Sequence, residues 1–224
     1  MTDASDASQT KGVDRINIAT YNIRSGRNGR LETALRAMEQ MKVDLGILTE
    51  AKLTDGIYTG CSHGYNVVAT KARVHCQGGV ALFYKNSPDW QVESVRCHGP
   101  NVISFQLVAA SRRWGVVGAS VPPADLDTVE YITQAFEALP RALPPILLGD
   151  LNVDLNNPRD ERGQAIITEM AVLGLEDLLL HFRQRRGFRH GTTWMQHRNG
   201  ETVRARCDYL LGTDRRMFKN VSTR

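Results

Sequence analysis

Three strand-like runs in this chain each stop abruptly on a polar side chain: INIATY before Asn22, LGILT before Glu50, and PILLG before Asp150 and, two residues on, Asn152. Ile16, Ile18 and Thr20 alternate with Asn17, Ala19 and Tyr21, the period of a strand. Val43 to Thr49 and Pro145 to Gly149 are short unbroken apolar runs, the pattern of strands buried on both faces in a parallel-type sheet. Such strands must be covered by helices or by a second sheet. In sheets covered in this way ligands bind beyond the carboxyl ends of the strands, so residues just past each run are poised to meet in one cleft.

The rest of the chain agrees with a layered α/β fold. Leu31, Leu35, Met38 and Met41 fall at helical spacing between the first two strands. From Tyr65 to Val121 the texture changes to short β-branched or aromatic runs separated by Gly, Pro, Asn and Ser: Tyr65 to Thr70, Gly79 to Tyr84, Trp90 to Val95, Val102 to Val108 and Trp114 to Ser120. These predict several antiparallel strands. Asp127 and Glu130 form an acidic capping box ahead of Val129, Ile132, Phe136 and Leu139, and Pro140 ends that helix. Asp160 to Leu173 reads as a helix closed by Gly174, and Cys207 to Leu211 as a last short strand. Residues 1–13 are small and polar without period and read as a flexible leader, leaving 14–224 as the folded domain. Two sheets packed face to face suit this strand count.

Composition removes several classes. With 42% hydrophobic and 23% charged residues the chain is of globular type, no apolar run approaches the roughly 18 residues of a membrane span, and the start lacks the pattern of a signal peptide. The expectation is an intracellular protein with no membrane partner. Four cysteines without a Cys-x-x-Cys pair suit reduced thiols. Cys61, His63, His75 and Cys76 supply zinc-ligand types, but the same stretch reads as a loop and a strand start, and that plainer reading is preferred.

Charge is unevenly spread. Residues 181–224 carry 11 Lys and Arg against three acids, a balance of +8, whereas residues 1–180 balance at −4. Of the 28 cations, 22 are Arg, whose planar fork suits phosphate. Arg183, Arg185, Arg186, Arg189, Arg204, Arg206, Arg215, Arg216 and Lys219 are therefore expected to face a polyanion.

The residues past the strands share a chemical purpose. A carboxylate such as Glu50 suits Mg²⁺, which takes one or two carboxylates and completes its shell with water and phosphate. A second carboxylate such as Asp150 can orient or deprotonate an attacking water, while the amides of Asn22 and Asn152 hold the phosphate or that carboxylate in register. Glu50 and Asp150 are then expected about 4 to 8 Å apart, a spacing that leaves room for a hydrated ion.

Tyr21-Asn22-Ile23-Arg24, Leu48-Thr49-Glu50, Gly149-Asp150-Leu151-Asn152, Thr192-Thr193-Trp194 and Cys207-Asp208-Tyr209-Leu210-Leu211 occur in the order typical of the endonuclease/exonuclease/phosphatase superfamily. From about Arg15 to Val221 the chain resembles the endonuclease domains of non-LTR retrotransposon polyproteins. The resemblance implies a deoxyribonuclease-like four-layer α/β/β/α sandwich and a Mg²⁺-dependent DNA-nicking activity, with Mn²⁺ as the alternative ion. It also implies linkage to a reverse transcriptase and work in the nucleus. Residue by residue, Glu50 matches the metal ligand and Asp150 the carboxylate that activates the nucleophile. Asn152 matches the amide on the phosphate, Asn22 the amide supporting the metal-ligand cluster, and Asp208 the acid that orients a catalytic histidine. Thr193, Trp194, Arg24, Arg185 and Arg186 are the expected substrate contacts.

Two departures stand out. Ser120 occupies the position where the family commonly has Tyr, and none of the six histidines follows Asp208, so the family's terminal Ser-Asp-His and its strand are expected to be missing. On that basis residues 1–224 by themselves are expected to cleave at or near background. A degenerate nucleic-acid-binding remnant and a phosphatase or lipid phosphodiesterase of the same fold are the alternatives.

Overall fold

The computed structural model describes residues 15–53, 58–72, 78–123, 125, 127–155, 157–183, 193–198, 201–219 and 221. In chain order these form β1 (Ile18–Asn22), α1 (Arg30–Gln40), β2 (Leu45–Thr49), β3 (Tyr58–Ser62), β4 (Tyr65–Ala69), β5 (Val80–Lys85), β6 (Trp90–Cys97), β7 (Val102–Ala109) and β8 (Arg112–Ser120). They continue with α2 (Asp127–Glu137), β9 (Pro145–Asp150), α3 (Glu161–Val172), β10 (Glu176–Asp177), α4 (Leu178–Arg183), β11 (Trp194–Arg198), β12 (Glu201–Ala205) and β13 (Asp208–Gly212). One sheet has the order β1-β2-β5-β4-β3, a second β10-β13-β9-β8-β7-β6, and β11 pairs with β12. The proposed leader lies outside the described residues.

Four layers follow from where the apolar side chains point. Leu45, Ile47, Val80 and Leu82 of the first sheet meet Ile103, Phe105, Val116, Ile146 and Leu148 of the second in a core between the sheets. Each contributes about 1.5–3 kcal/mol by leaving water. Alternation along the strands sends Leu48, Val67 and Phe83 to the opposite face, where Leu31, Ala34, Leu35 and Met38 of α1 cover them. Val117, Ala119 and Leu147 likewise meet Ile132 and Phe136 of α2 and Ile166 and Met170 of α3. This is an α/β/β/α sandwich.

Parallel pairs occur where helices make the crossover: β1 with β2 through α1, and β8 with β9 through α2. Both pairs therefore present their carboxyl ends together. Three details differ from expectation. Asp127 lies inside the first turn of α2 with Glu130 rather than ahead of it, where both acids favour the positive helix end. Strand β3 and the β11–β12 hairpin form where no strand was predicted, because their sequences (YTGCS, WMQHR, ETVRA) carry little apolar alternation. A six-residue helix, α4, follows directly on β10.

Candidate active site

The polar residues past the strands do converge, and one amide joins them. Asn22 ends β1, and its side-chain Oδ1 accepts from the backbone N–H of Arg24 at 2.9 Å. That bond orients the amide so that Nδ2 donates to Glu50 Oε1 at 2.9 Å and to Asp150 Oδ2 at 2.8 Å. Two oxygens bonded to one nitrogen at these distances lie within about 6 Å of each other. Glu50 thus comes from the end of the first sheet and Asp150 from the end of the second, across the gap that the inter-sheet core leaves open at this end.

Local backbone geometry aims these groups. Arg24, Glu50, Lys52 and Asn152 all have positive φ, between 50° and 56°, uncommon for non-glycine residues and enriched where a site holds its side chains in fixed directions. Asp150 Oδ1 accepts from the Asn152 N–H at 2.9 Å, which turns the chain sharply after β9. Gly149, one residue earlier, is obligatory: its φ is 149° and a Cβ there would sit 1.8 Å from the Ala119 carbonyl oxygen.

Glu50 and Asp150 carry charge differently. Burial alone would raise the pKa of Glu50, but hydrogen bonds from Asn22 and Lys52 and the charges of Lys52 and Arg24 outweigh it and hold the carboxyl below its ordinary range. Lys52 Nζ lies 2.9 Å from Glu50 Oε2. Asp150 is 3% exposed, and burial pushes its pKa up despite the bonds from Asn22 and Asn152. Asp208 begins β13 directly opposite Asp150 in the antiparallel register. Burial and the Asp150 charge push its pKa up to about 7, against the opposing influence of Thr193 and Arg206. Its Oδ1 is buried without a hydrogen-bond partner among the described residues.

Glu50 and Asp150 meet on one amide and Asp208 stands opposite Asp150 in the sheet, one of the three with an orphaned oxygen and two with raised pKa values. Glu50, whose pKa is lowered, is a hard-oxygen donor of the type that could bind a largely hydrated divalent cation. Among the described residues no group of three His, Cys, Asp or Glu is arranged to hold a metal ion.

The remaining expected contacts are placed unevenly. Thr193 Oγ1 accepts from the backbone N–H groups of Cys207 and Asp208, at 2.8 and 3.1 Å, so Thr193 anchors the start of β13 beside the acid. Trp194 opens β11. Arg24 is exposed at the cleft rim. Ser120 is 1% exposed, pairs with Asp150 in the β8–β9 register, and its Oγ has no partner among the described residues. Arg185, Arg186 and Arg189 lie outside the described residues, as do His75 and Cys76. Cys61 Sγ meets Asn66 Oδ1 at 3.1 Å.

The uniform basic surface expected for the C-terminal part needs correction. Arg206 is 4% exposed, pairs with Asp177 and stacks over the Tyr209 ring at 4.1 Å. A buried, paired guanidinium is a core group and is not available to phosphate. Arg215 and Arg216 follow β13, which runs from Asp208 beside Asp150 to Gly212 beside Ile146, so they sit at the end of the sheet remote from the cleft.

Sequence reasoning missed Lys52 and Arg162. Arg162, on α3, donates from Nη2 to the carbonyls of Val121 and Pro122 at 3.1 and 2.9 Å, tying the Pro-Pro segment after β8 to the helix. Only the acid-plus-base spacing of Glu50 and Lys52 carried a signal, and a surface pair looks the same.

A family model, the endonuclease/exonuclease/phosphatase family, matches residues 19–222. The chain belongs to that family. No curated protein sequence matches significantly. Among solved structures, the endonuclease domain of TRAS1, a telomere-specific non-LTR retrotransposon, superposes with a TM-score of 0.65 at 17% identity, covering 89% of this chain and 86% of that one. An AP endonuclease from Archaeoglobus fulgidus gives 0.64 at 19%, with 89% and 87% covered. The 3′ phosphatase NExo from Neisseria, bound to a product DNA hairpin, gives 0.58 at 20%, with 89% and 87% covered. At these identities the likeness is one of fold.

Proposed function

We propose that this chain is a divalent-metal-dependent phosphodiesterase, most specifically a DNA-nicking endonuclease domain of the non-LTR retrotransposon kind, working on nuclear DNA beside a linked reverse transcriptase. The observation that carries the reading is the single Asn22 amide shared by Glu50 and Asp150. It couples a low-pKa carboxylate, suited to a cation, with a buried, higher-pKa carboxylate, suited to take a proton.

In this reading Glu50 would hold a divalent ion, Mg²⁺ or Mn²⁺, which would supply charge stabilisation at the phosphoryl oxygens. Asp150 accepts the proton of the attacking water, and Asn22 keeps it from rotating away. Asn152, two residues past Asp150, would offer its side-chain amide to the phosphate. Asp208, whose pKa burial and the Asp150 charge raise to about 7, can carry a proton beside Asp150 and donate it or a hydrogen bond.

A second reading, a non-catalytic nucleic-acid-binding domain, rests on the absence of a histidine after Asp208 in this sequence; His98 is bonded to Ser104 and His181 to Glu176. Nicking of supercoiled plasmid separates the two. Metal-dependent conversion to open circles that Asp150→Ala reduces by 10²- to 10⁴-fold supports the nuclease. Salt-sensitive DNA binding without any nicking supports the binding domain. Release of phosphate from a 3′-phosphorylated oligonucleotide, without nicking, makes the chain a phosphatase.

A further inference from the structure

The two halves of the site are also joined behind the cleft, through a residue outside the five motifs. Asn101 lies just before β7 and is 1% exposed. Its Oδ1 accepts from the Gly79 N–H at 2.8 Å. Its Nδ2 donates to Asp125 Oδ2 at 3.1 Å and to Thr128 Oγ1 at 3.2 Å, at the start of α2. Its backbone carbonyl accepts from the Ser120 N–H at 3.0 Å.

Two of these bonds lead to the two sides of the cleft, one from the side chain and one from the main-chain carbonyl. The carbonyls of Gly79 and Gly78 accept from the N–H groups of Ala51 and Lys52, at 2.9 and 3.1 Å, and so hold the turn that carries Glu50 and Lys52. A Cβ on Gly78 would fall 2.0 Å from Asn101 Oδ1, so the turn is glycine because the amide presses directly on its backbone. On the other side, the residue after Ser120 donates to the Asp150 carbonyl at 2.8 Å. From Asn101 to either carboxylate-bearing segment is two hydrogen-bonded steps, one route through each sheet.

We propose that Asn101 is a positioning residue that fixes the Glu50 turn relative to the Asp150 strand, setting the separation at which a phosphodiester and its cation are received. This deepens the nuclease reading and rests on it for the functional consequence alone; the mechanical coupling stands independently. A buried amide with all of its polar atoms used is costly to replace, and a partner that supports a metal ligand from behind changes metal affinity about 10- to 100-fold when lost.

The test uses the whole chain with Asn101→Ala, the near-isosteric Asn101→Asp, and the exchanged pair Asn101→Asp with Asp125→Asn, which restores a donor opposite an acceptor. Hydrogen exchange is read at the amides of Ala51, Lys52, Ser120 and Val121, and Mn²⁺ binding by calorimetry. Asn101→Ala is expected to speed exchange at Ala51 and Lys52 and weaken Mn²⁺ binding at least 10-fold, with Ser120 and Val121 unchanged because the main-chain carbonyl of residue 101 is kept. Asn101→Asp, which keeps the acceptor for Gly79 but sets a like charge against Asp125, is expected to show the same changes more weakly, and the exchanged pair to recover them. If Asn101→Ala does not fold, Asn101→Asp decides. Unchanged exchange at Ala51 and Lys52 in Asn101→Ala, or weakening that the exchanged pair does not recover, overturns the proposal. Wild-type protein that neither binds Mn²⁺ nor nicks DNA removes the nuclease reading, while the exchange data still decide the coupling.

Discussion

Asp208→Asn is the perturbation that tests the electrostatics of the cleft most directly. Folding carries this carboxyl from an unfolded pKa of about 3.9 to about 7. The folded state therefore holds the proton more tightly, and ionising Asp208 costs stability. Below about pH 4 the group is protonated in both states and contributes no penalty. The penalty grows as pH rises from about 4 to 7 and is constant above. A rise of three units corresponds to about 4 kcal/mol, and water reaching the cleft screens part of it, so about 2–4 kcal/mol is expected at pH 8. Asparagine keeps the shape, still accepts from Thr193, and offers Asp150 a donor in place of a like charge. Urea unfolding with chelator present, from pH 4 to 8.5, should give equal stability for the two proteins at the acid end and a more stable Asp208→Asn protein at pH 8. A difference that does not change with pH, or a variant less stable at pH 8, would refute the reasoning. The gain should shrink when Asp150 is also replaced by Asn, since the Asp150 charge is the second cause of the shift.

Mg²⁺ at 100 times its dissociation constant should stabilise the folded chain by about 2.7 kcal/mol; Glu50→Gln should abolish that thermal shift, and a shift that survives would place the ion elsewhere. Arg206→Met should cost about 3–5 kcal/mol by leaving Asp177 buried without its partner, with DNA affinity of the folded protein unchanged; weaker DNA binding at unchanged stability would return Arg206 to the phosphate surface. Charge reversal at Arg185 and Arg186 should weaken duplex binding and lower the salt slope by about one unit per lost contact, and a slope equal to wild type would remove them from the interface.

The layers were legible because their cause is local. Val43 to Thr49 could only be a strand, since an apolar run this short gives a helix too little to bury, and its neighbours at helical spacing had to cover it. The strands that escaped notice, β3 and the β11–β12 hairpin, write little apolar alternation into the sequence: none of the five residues of β3 is buried. Hairpins of that kind are set by what they pair with, and pairing is not recorded in a single strand.

The site was legible in its acids and illegible in its supports, for a related reason. Asn22, Glu50 and Asp150 announce themselves because each interrupts an apolar run at its carboxyl end, and the parallel pairing of β1 with β2 and β8 with β9 brings those ends together. Asn101 follows Gly99-Pro100, where an asparagine reads as an ordinary turn residue, and only the three-dimensional approach of Gly79 and Asp125 makes its amide a junction. Charge failed in the opposite direction. Summing residues 181–224 counted Arg206 with its neighbours, but burial beside Asp177 and Tyr209 withdraws it from solvent. Register carries Arg215 and Arg216 to the far end of the second sheet. The positive rim that does face Glu50 comes instead from Arg24 and Lys52, within the segment whose net charge is negative. A polyanion responds to the few cations within a Debye length of about 8–10 Å of its phosphates, and segment sums average over several times that distance.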